Sequence, residues 1–187
     1  MKHIAIFASG NGTNAKAIIE HFANHPEIRV ALVLTNNPSA GVLKIAHEHK
    51  IISAIVNKNS LNKEEVMMKV LNAQKIDMIV LAGFLQLIPA FLLQNFPKKI
   101  INIHPALLPK HGGKGMYGLK VHQAVLANKD TETGITIHYV NEVYDDGEIL
   151  LQKKVVVDPN DTAELLSAKV QQLEHEWYVK AIEDLLR

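Results

Sequence analysis

Residues 3–23 read HIAIFASGNGTNAKAIIEHFA. The first six are an almost unbroken apolar run, the mark of a strand buried on both faces. From Thr13 onward, Ala15, Ile18, Ile19 and Phe22 recur at helical spacing, so Thr13 to Ala23 reads as a helix with one apolar face. Between strand and helix lies SGNGTN, residues 9–14. Strand, glycine turn and amphipathic helix in that order begin a β-α-β unit.

The pattern continues through the first hundred residues. Arg29 to Leu34, Ser53 to Val56, Met78 to Leu81 and Ile100 to Ile103 read as strands. Ala40 to His49 reads as a helix, and so does Asn62 to Gln74, with Val66, Val70 and Leu71 on its apolar face. Pro89 to Asn95 is a short helix, started by a proline whose missing N–H does no harm there. This alternation predicts a parallel sheet covered on both faces. Beyond residue 110 the character changes. HGGKGMYG, residues 111–118, is a glycine-rich surface loop, and Val121 to Ala127 is helical. Thr133 to Val140 and Ile149 to Val157 are rich in β-branched residues and read as a strand pair, joined by a turn through NEVYDDGE. Asp161 to Leu186 is a long last helix with Leu165, Leu166, Val170 and Leu173 on one face. With no repeat and no linker, residues 1–187 are expected to form one domain.

Composition narrows the function. The 187 residues are 48% hydrophobic and 21% charged, with a net charge of +1. A near-neutral chain with scattered Lys and Arg offers no electrostatic footprint for nucleic acid. There is no cysteine, hence no disulfide framework, thiolate metal site or Cys nucleophile. No stretch approaches the roughly 18 apolar residues of a membrane span, and the N-terminal apolar run ends in glycines rather than a cleavage motif. A soluble, cytoplasmic protein is expected.

The glycine turn points to an anion. The first N–H groups of the following helix lack intrahelical partners and carry the positive end of its dipole, which suits a phosphate. The letters also fit a dinucleotide fingerprint, with Gly10, Gly12 and Ala15 in its three slots. That fingerprint wants an Asp or Glu about 20 residues on, at the end of the second strand. Here the strand ends LVLTNNPS, residues 32–39, with no acid. A single phosphate is therefore favoured over a pyrophosphate, with a tight turn holding no ligand as the bland alternative.

A second signal is INIHPALLPK, residues 101–110. Residues two apart on a strand share a face, so Asn102 and His104 project together at the strand's carboxyl end, where open α/β sheets bind ligands. An Asn amide can bind a developing oxyanion, and an imidazole can move a proton. By spacing alone, a core His satisfied by a backbone carbonyl beside a structural Asn competes with that reading. The turn YDDGEI, residues 144–149, is an ordinary Asp-Gly turn unless a carboxylate there meets the imidazole and raises its pKa.

Taken together, SGNGTN, IVLAGFLQLI (79–88), NIHPALLPK (102–110), GITIHYV (134–140) with DDGEIL (145–150), and VQQLEHEWY (170–178) resemble the folate-dependent formyltransferase family, in the branch that acts on glycinamide ribonucleotide. The resemblance spans nearly the whole chain. It implies an α/β, Rossmann-like formyltransferase fold with a mixed, mostly parallel sheet and helices on both faces. It implies transfer of a formyl group from 10-formyltetrahydrofolate to the glycine amine of glycinamide ribonucleotide, giving formylglycinamide ribonucleotide in purine (IMP) synthesis. Asn102, His104 and Asp145 match the family's catalytic trio, with Asp145 keeping the imidazole protonated near neutral pH. Gly12, Thr13 and Asn14 match the phosphate segment, and Gln171 and Glu174 face the ribonucleotide. Leu85, Gln86, Leu87, Ile88, Asn102, Asn141 and Asp145 match the folate pocket, bordered by Lys63.

The resemblance implies no metal, nucleic-acid or membrane partner, and a monomer or weak homodimer. This chain departs from the family in three places. Asp146 stands where a glycine is usual, which leaves Asp146 as the alternative to Asp145. Gln86 stands where a basic residue is common, and HGGKGMYG is longer than usual. Two related activities share the Asn-His-Pro segment: methionyl-tRNA formyltransferase, expected to carry a further C-terminal domain, and formyltetrahydrofolate hydrolase, expected to carry an N-terminal regulatory one. A nonenzymatic nucleotide-binding module would keep the glycine turn but would not require Asn102, His104 and Asp145 to converge.

Overall fold

Strand β1 (Lys2–Phe7) lies at the middle of a sheet because both of its faces are apolar. Ile4 and Ile6 enter one buried layer, and Ala5 and Phe7 enter the other. The computed structural model describes residues 1–187. After β1 come α1 (Thr13–Phe22), β2 (Ile28–Thr35), α2 (Val42–Glu48), β3 (Ile52–Ile55), α3 (Lys58–Leu61), α4 (Glu64–Ala73) and β4 (Met78–Leu81). They are followed by α5 (Ala90–Asn95), β5 (Ile100–His104), α6 (Leu119–Ala127), β6 (Glu132–Tyr139), β7 (Ile149–Val156) and α7 (Ala163–Leu186).

The seven strands lie in the order β3-β2-β1-β4-β5-β6-β7. The first five are parallel, and β6 and β7 run antiparallel. Residues of α1, α2 and α7 pack into one layer, and those of α3, α4 and α5 into the other. This is the mixed, mostly parallel α/β sheet with two covered faces that the sequence predicts. Each fully buried Leu or Ile in these layers contributes roughly 1.5–3 kcal/mol. No helix is long and apolar enough to cross a membrane.

Several local expectations are corrected. In α4 the buried pair is Met67 and Leu71, one helical turn apart, and Val66 is exposed. Lys63 stands at the N-cap position of that helix, with no side-chain cap hydrogen bond. Residues 58–61 form a separate short helix, held by a reciprocal Asn57–Ser60 capping box. Pro89 is the N-cap of α5, with extended backbone, rather than its first helical residue. In α7 the start is set by Thr162, whose side chain accepts from Leu165 N–H. Leu166 and Val170 are buried there, but Leu165 is exposed.

Two features of the fold place the site. Because β1, β4 and β5 are parallel, the segments leaving their carboxyl ends lie side by side. Helix α7 then crosses them: Tyr178, 1% exposed, donates its hydroxyl to Leu81 O at 2.8 Å, with Ile101 O at 3.2 Å.

Candidate active site

The turn after β1 is built around Gly12, the N-cap of α1, at φ 80° and ψ 29°. That left-handed conformation favours glycine. A Cβ there would stand 2.8 Å from Val42 Cβ, so the residue is required for the turn and for packing on α2. It is Val42 of α2 that leaves no room for a side chain at this position. No side chain caps α1, and its first backbone hydrogen bond is Lys16 N–H to Gly12 O at 2.8 Å. The N–H groups of Thr13 and Asn14 therefore have no protein acceptor. Thr13 Oγ1 accepts from Gln171 Nε2 on α7 at 3.1 Å. Asn14 Oδ1 is buried without a partner.

The end of β2 is knotted to this turn. Ser9 Oγ donates to Asn36 Oδ1 and accepts from Leu85 N–H at 2.9 Å, and Asn37 Nδ2 donates to Ser9 O at 3.2 Å. The LTNN segment that lacks a dinucleotide-type acid serves as a strut for the glycine turn.

Strand register assembles the other end of the site. Asn102 on β5 pairs with His138 on β6, and His104 with Thr136. His138 Nδ1 donates to its neighbour Tyr139 O at 2.8 Å. Its Nε2 is then an acceptor, and Asn102 Nδ2 donates to it at 3.1 Å, which orients the Asn amide. Beyond β5, Leu108 N–H donates to Thr136 Oγ1 at 3.0 Å, and Thr136 Oγ1 donates to Ala106 O at 2.7 Å. These bonds pin the chain as it leaves the sheet.

The connection between β6 and β7 folds back so that Asp145 reaches both strand residues. Its Oδ1 lies 3.4 Å from Asn102 Nδ2, and its Oδ2 lies 3.4 Å from His104 Nδ1. Oδ2 also accepts from Gly113 N–H at 2.9 Å. Asp145 has φ 54°, a region Asp tolerates better than most residues. Asp146 instead accepts from Asn141 Nδ2 at 3.2 Å, so of the two acids in the turn it is Asp145 that meets the imidazole.

His104 is 3% exposed, and its Nε2 faces His111 O at 2.8 Å. The bland sequence alternative, a buried His bonded to a carbonyl, is thus half realised, with Asp145 at the second ring nitrogen. Burial lowers the His104 pKa below the ordinary imidazole value; Asp145 and the His111 carbonyl oppose this without overcoming it. In the empty site, burial thus opposes the protonated imidazole that the resemblance implies, and Asp145 favours it. Burial pushes the Asp145 carboxyl up, but its polar contacts, the Gly113 N–H among them, bring it below its usual range.

A cleft of about 520 Å³ joins the two ends. Asn102, His104 and Asp145 line it, with Asn14, Gln171 and Glu174 toward α1 and α7, and Leu85, Gln86, Leu87, Ile88 and Asn141 also in its wall. Gly12 and Thr13 stand behind Asn14 at the turn. Lys63, at the start of α4, is not among the lining residues. Burial raises the Glu174 carboxyl to about 7, with the neighbouring Asn14 side chain opposing.

The sequence reading missed His138, whose role follows only from register. It also missed His122, which lines the cleft from α6 and whose buried Nδ1 has no partner. Burial, with a smaller push from His104, lowers that imidazole to about 4. Lys114, from the glycine-rich loop, is the one Lys or Arg in the lining.

Residues 2–182 match the family described as formyl transferase. The chain is 43% identical to the chloroplastic phosphoribosylglycinamide formyltransferase of Arabidopsis thaliana, over 97% of this chain and 64% of that protein. It spans 61% of the Vigna unguiculata counterpart. It is 38% identical to the phosphoribosylglycinamide formyltransferase of Bacillus subtilis, over 100% of this chain and 95% of the relative. Among solved structures, glycinamide ribonucleotide transformylase 1 of Geobacillus kaustophilus superposes with a TM-score of 0.89 at 33% identity, covering 100% of each chain.

Proposed function

The chain belongs to the formyl transferase family, and from that premise we propose that it transfers the formyl group of 10-formyltetrahydrofolate to the glycine amine of glycinamide ribonucleotide. The observation that carries this reading is the meeting of Asn102, His104 and Asp145 in one cleft whose other end is the uncapped start of α1. The relatives named for this reaction support the choice of substrates.

In this reading the ribonucleotide phosphate lies at the free N–H groups of Thr13 and Asn14, where the dipole of α1 favours an anion. Thr13 and Gln171 flank it, and Glu174 faces the ribose. Residues 85–88, Asn141 and the backbone around Asp145 hold the folate ring, placing its formyl carbon beside His104. Holding both substrates in one cleft supplies much of the acceleration.

The chemistry follows from the hydrogen bonds. A carbonyl oxygen only accepts, so His104 carries a proton on Nε2 toward His111 O, and its Nδ1 lies beside the Asp145 carboxylate. The neutral amine attacks the formyl carbon and its C=O becomes an oxyanion. Asn102 exchanges its long contact with Asp145 for that oxygen. His104 takes the amine proton at Nδ1, directly or through water, and becomes an imidazolium beside the Asp145 carboxylate. It returns the proton to the folate nitrogen as the C–N bond breaks. Burial favours a neutral His104 before attack, and the Asp145 carboxylate stabilises the imidazolium formed when the amine gives up its proton.

The test is an assay of the purified protein with glycinamide ribonucleotide and 10-formyltetrahydrofolate, with formate plus ATP offered as the competing donor. Formylation from the folate supports the reading; formate as the only effective donor, or no transfer at all, rejects it.

A further inference from the structure

We propose that His122 binds the ribonucleotide by donating from Nε2 to the carbonyl oxygen of its glycinamide amide; the inference rests on the formyltransferase reading above and adds a binding residue to it. His104, His122 and His138 all line the cleft. His104 meets the His111 carbonyl and Asp145, and His138 meets the Tyr139 carbonyl and Asn102. His122 differs from both. It is 3% exposed, and its Nδ1 is buried without a partner.

Protein encloses Nδ1, so the end of the ring that meets the cleft is Nε2. A proton on Nδ1 would be a buried donor with nothing to receive it, whereas on Nε2 it can reach a ligand. Burial, with a smaller push from His104, holds this imidazole at about 4, so near neutral pH it is an uncharged donor. Such a donor fits an uncharged carbonyl oxygen.

The position of His122 selects the ligand. It lies in the first turn of α6, which packs on α7. Helix α7 gives Ser167, Gln171 and Glu174 to the cleft wall, so His122 stands on the ribonucleotide side. The folate segments leave β4 and β6 instead. In the proposed reading the amine lies at His104 and the phosphate at the start of α1. The first acceptor along the ribonucleotide from its amine is the amide carbonyl oxygen, one methylene away. Thr13, Asn14 and Gln171 are engaged at the phosphate, Glu174 at the ribose and Asn102 at the formyl oxygen, which leaves that carbonyl to His122. Held by it, the amine is aimed at the formyl carbon.

The experiment uses the full-length chain and its His122→Asn, His122→Phe and His122→Gln variants, checked for folding by near-UV circular dichroism. Calorimetry gives the affinity for glycinamide ribonucleotide and for ribose 5-phosphate, which lacks the amide, and steady-state kinetics gives both KM values. Asn reaches only as far as Nδ1, Phe has no donor, and the Gln side-chain amide reaches the place of Nε2. Expected for Asn and Phe is a ~10-fold loss of affinity for glycinamide ribonucleotide, with the affinity for ribose 5-phosphate and the folate KM within about 2-fold of wild type. His122→Gln should recover most of the loss. Unchanged affinity for glycinamide ribonucleotide in a folded Asn or Phe variant overturns the proposal. So does an equal loss for both ligands, an equal loss in all three variants, or failure of all three to fold, because the ring then serves the structure and not the amide. Should the wild-type chain bind glycinamide ribonucleotide but transfer no formyl group, the functional reading fails while the affinities still decide the contact; should it not bind, both fall.

Discussion

Thr13, in the first turn of α1, and Gln171, on α7, meet across 158 positions of sequence, with Gln171 Nε2 donating to Thr13 Oγ1 at 3.1 Å. The contact closes the proposed phosphate end of the cleft from the side of the last helix. Thr13→Val removes the acceptor at nearly constant volume. The expected result is a KM for the ribonucleotide raised by ~10-fold, as for loss of a hydrogen bond in contact with a charged group, with the folate KM unchanged. Equal rises in both KM values would place Thr13 outside the phosphate end. Gly12→Val is a poorer probe, because its Cβ would press on Val42.

His104 stands between an acceptor on each side, the His111 carbonyl and the Asp145 carboxylate. His104→Ala should lower kcat by ~100-fold or more while binding of the ribonucleotide, followed by calorimetry, changes little. Turnover that survives the substitution would remove His104 from the chemistry.

Two groups, the buried His122 and the half-buried Glu174, make stability depend on pH in opposite senses. His122 titrates at about 4 in the folded chain and near ~6.5 when unfolded. Between those values the unfolded state holds a proton that the folded state lacks, so stability falls on acidification, by at most ~3 kcal/mol. Glu174 titrates at about 7 when folded and near ~4.3 when unfolded. There the folded state holds the extra proton, and stability falls as pH rises through that window. Urea unfolding from pH 4.5 to 8 checks both. His122→Phe should flatten the acid side, and Glu174→Gln should stabilise the protein above pH 7 but not below pH 5. The same pH profile in both variants as in wild type would refute the assignment.

Tyr178 joins α7 to two strands through one hydroxyl. Tyr178→Phe keeps the ring in the core and removes the donor, and should cost about 1–2 kcal/mol in the unfolding free energy. A change within error would mean that the strand carbonyls find other donors.

The elements of the first hundred residues were legible because buried parallel strands are apolar throughout and helices repeat their apolar positions at 3.6. Both signals are local. Faces were less secure: Val66 and Leu165 are apolar and helical yet exposed, since the rotation of a helix is set by its cap and by what it meets. Asn102 and His104 could be placed on one side of a strand from alternation alone. His138 could not, because its position opposite Asn102 depends on the register of an antiparallel neighbour more than 30 residues away.

By itself, the order of residues determined the β-α-β alternation, the glycine turn before α1, the pairing of Asn102 with His104 on one strand face, and the resemblance that named Asp145. Those properties are written in spacing and residue type, which the chain carries before it folds. The tertiary structure alone decided that Asp145 rather than Asp146 reaches the imidazole, that Val42 lies against Gly12, and that His111 and Asp130 close a loop around the site. Each of those depends on distance and on exclusion of water, and both exist only once remote segments have packed together.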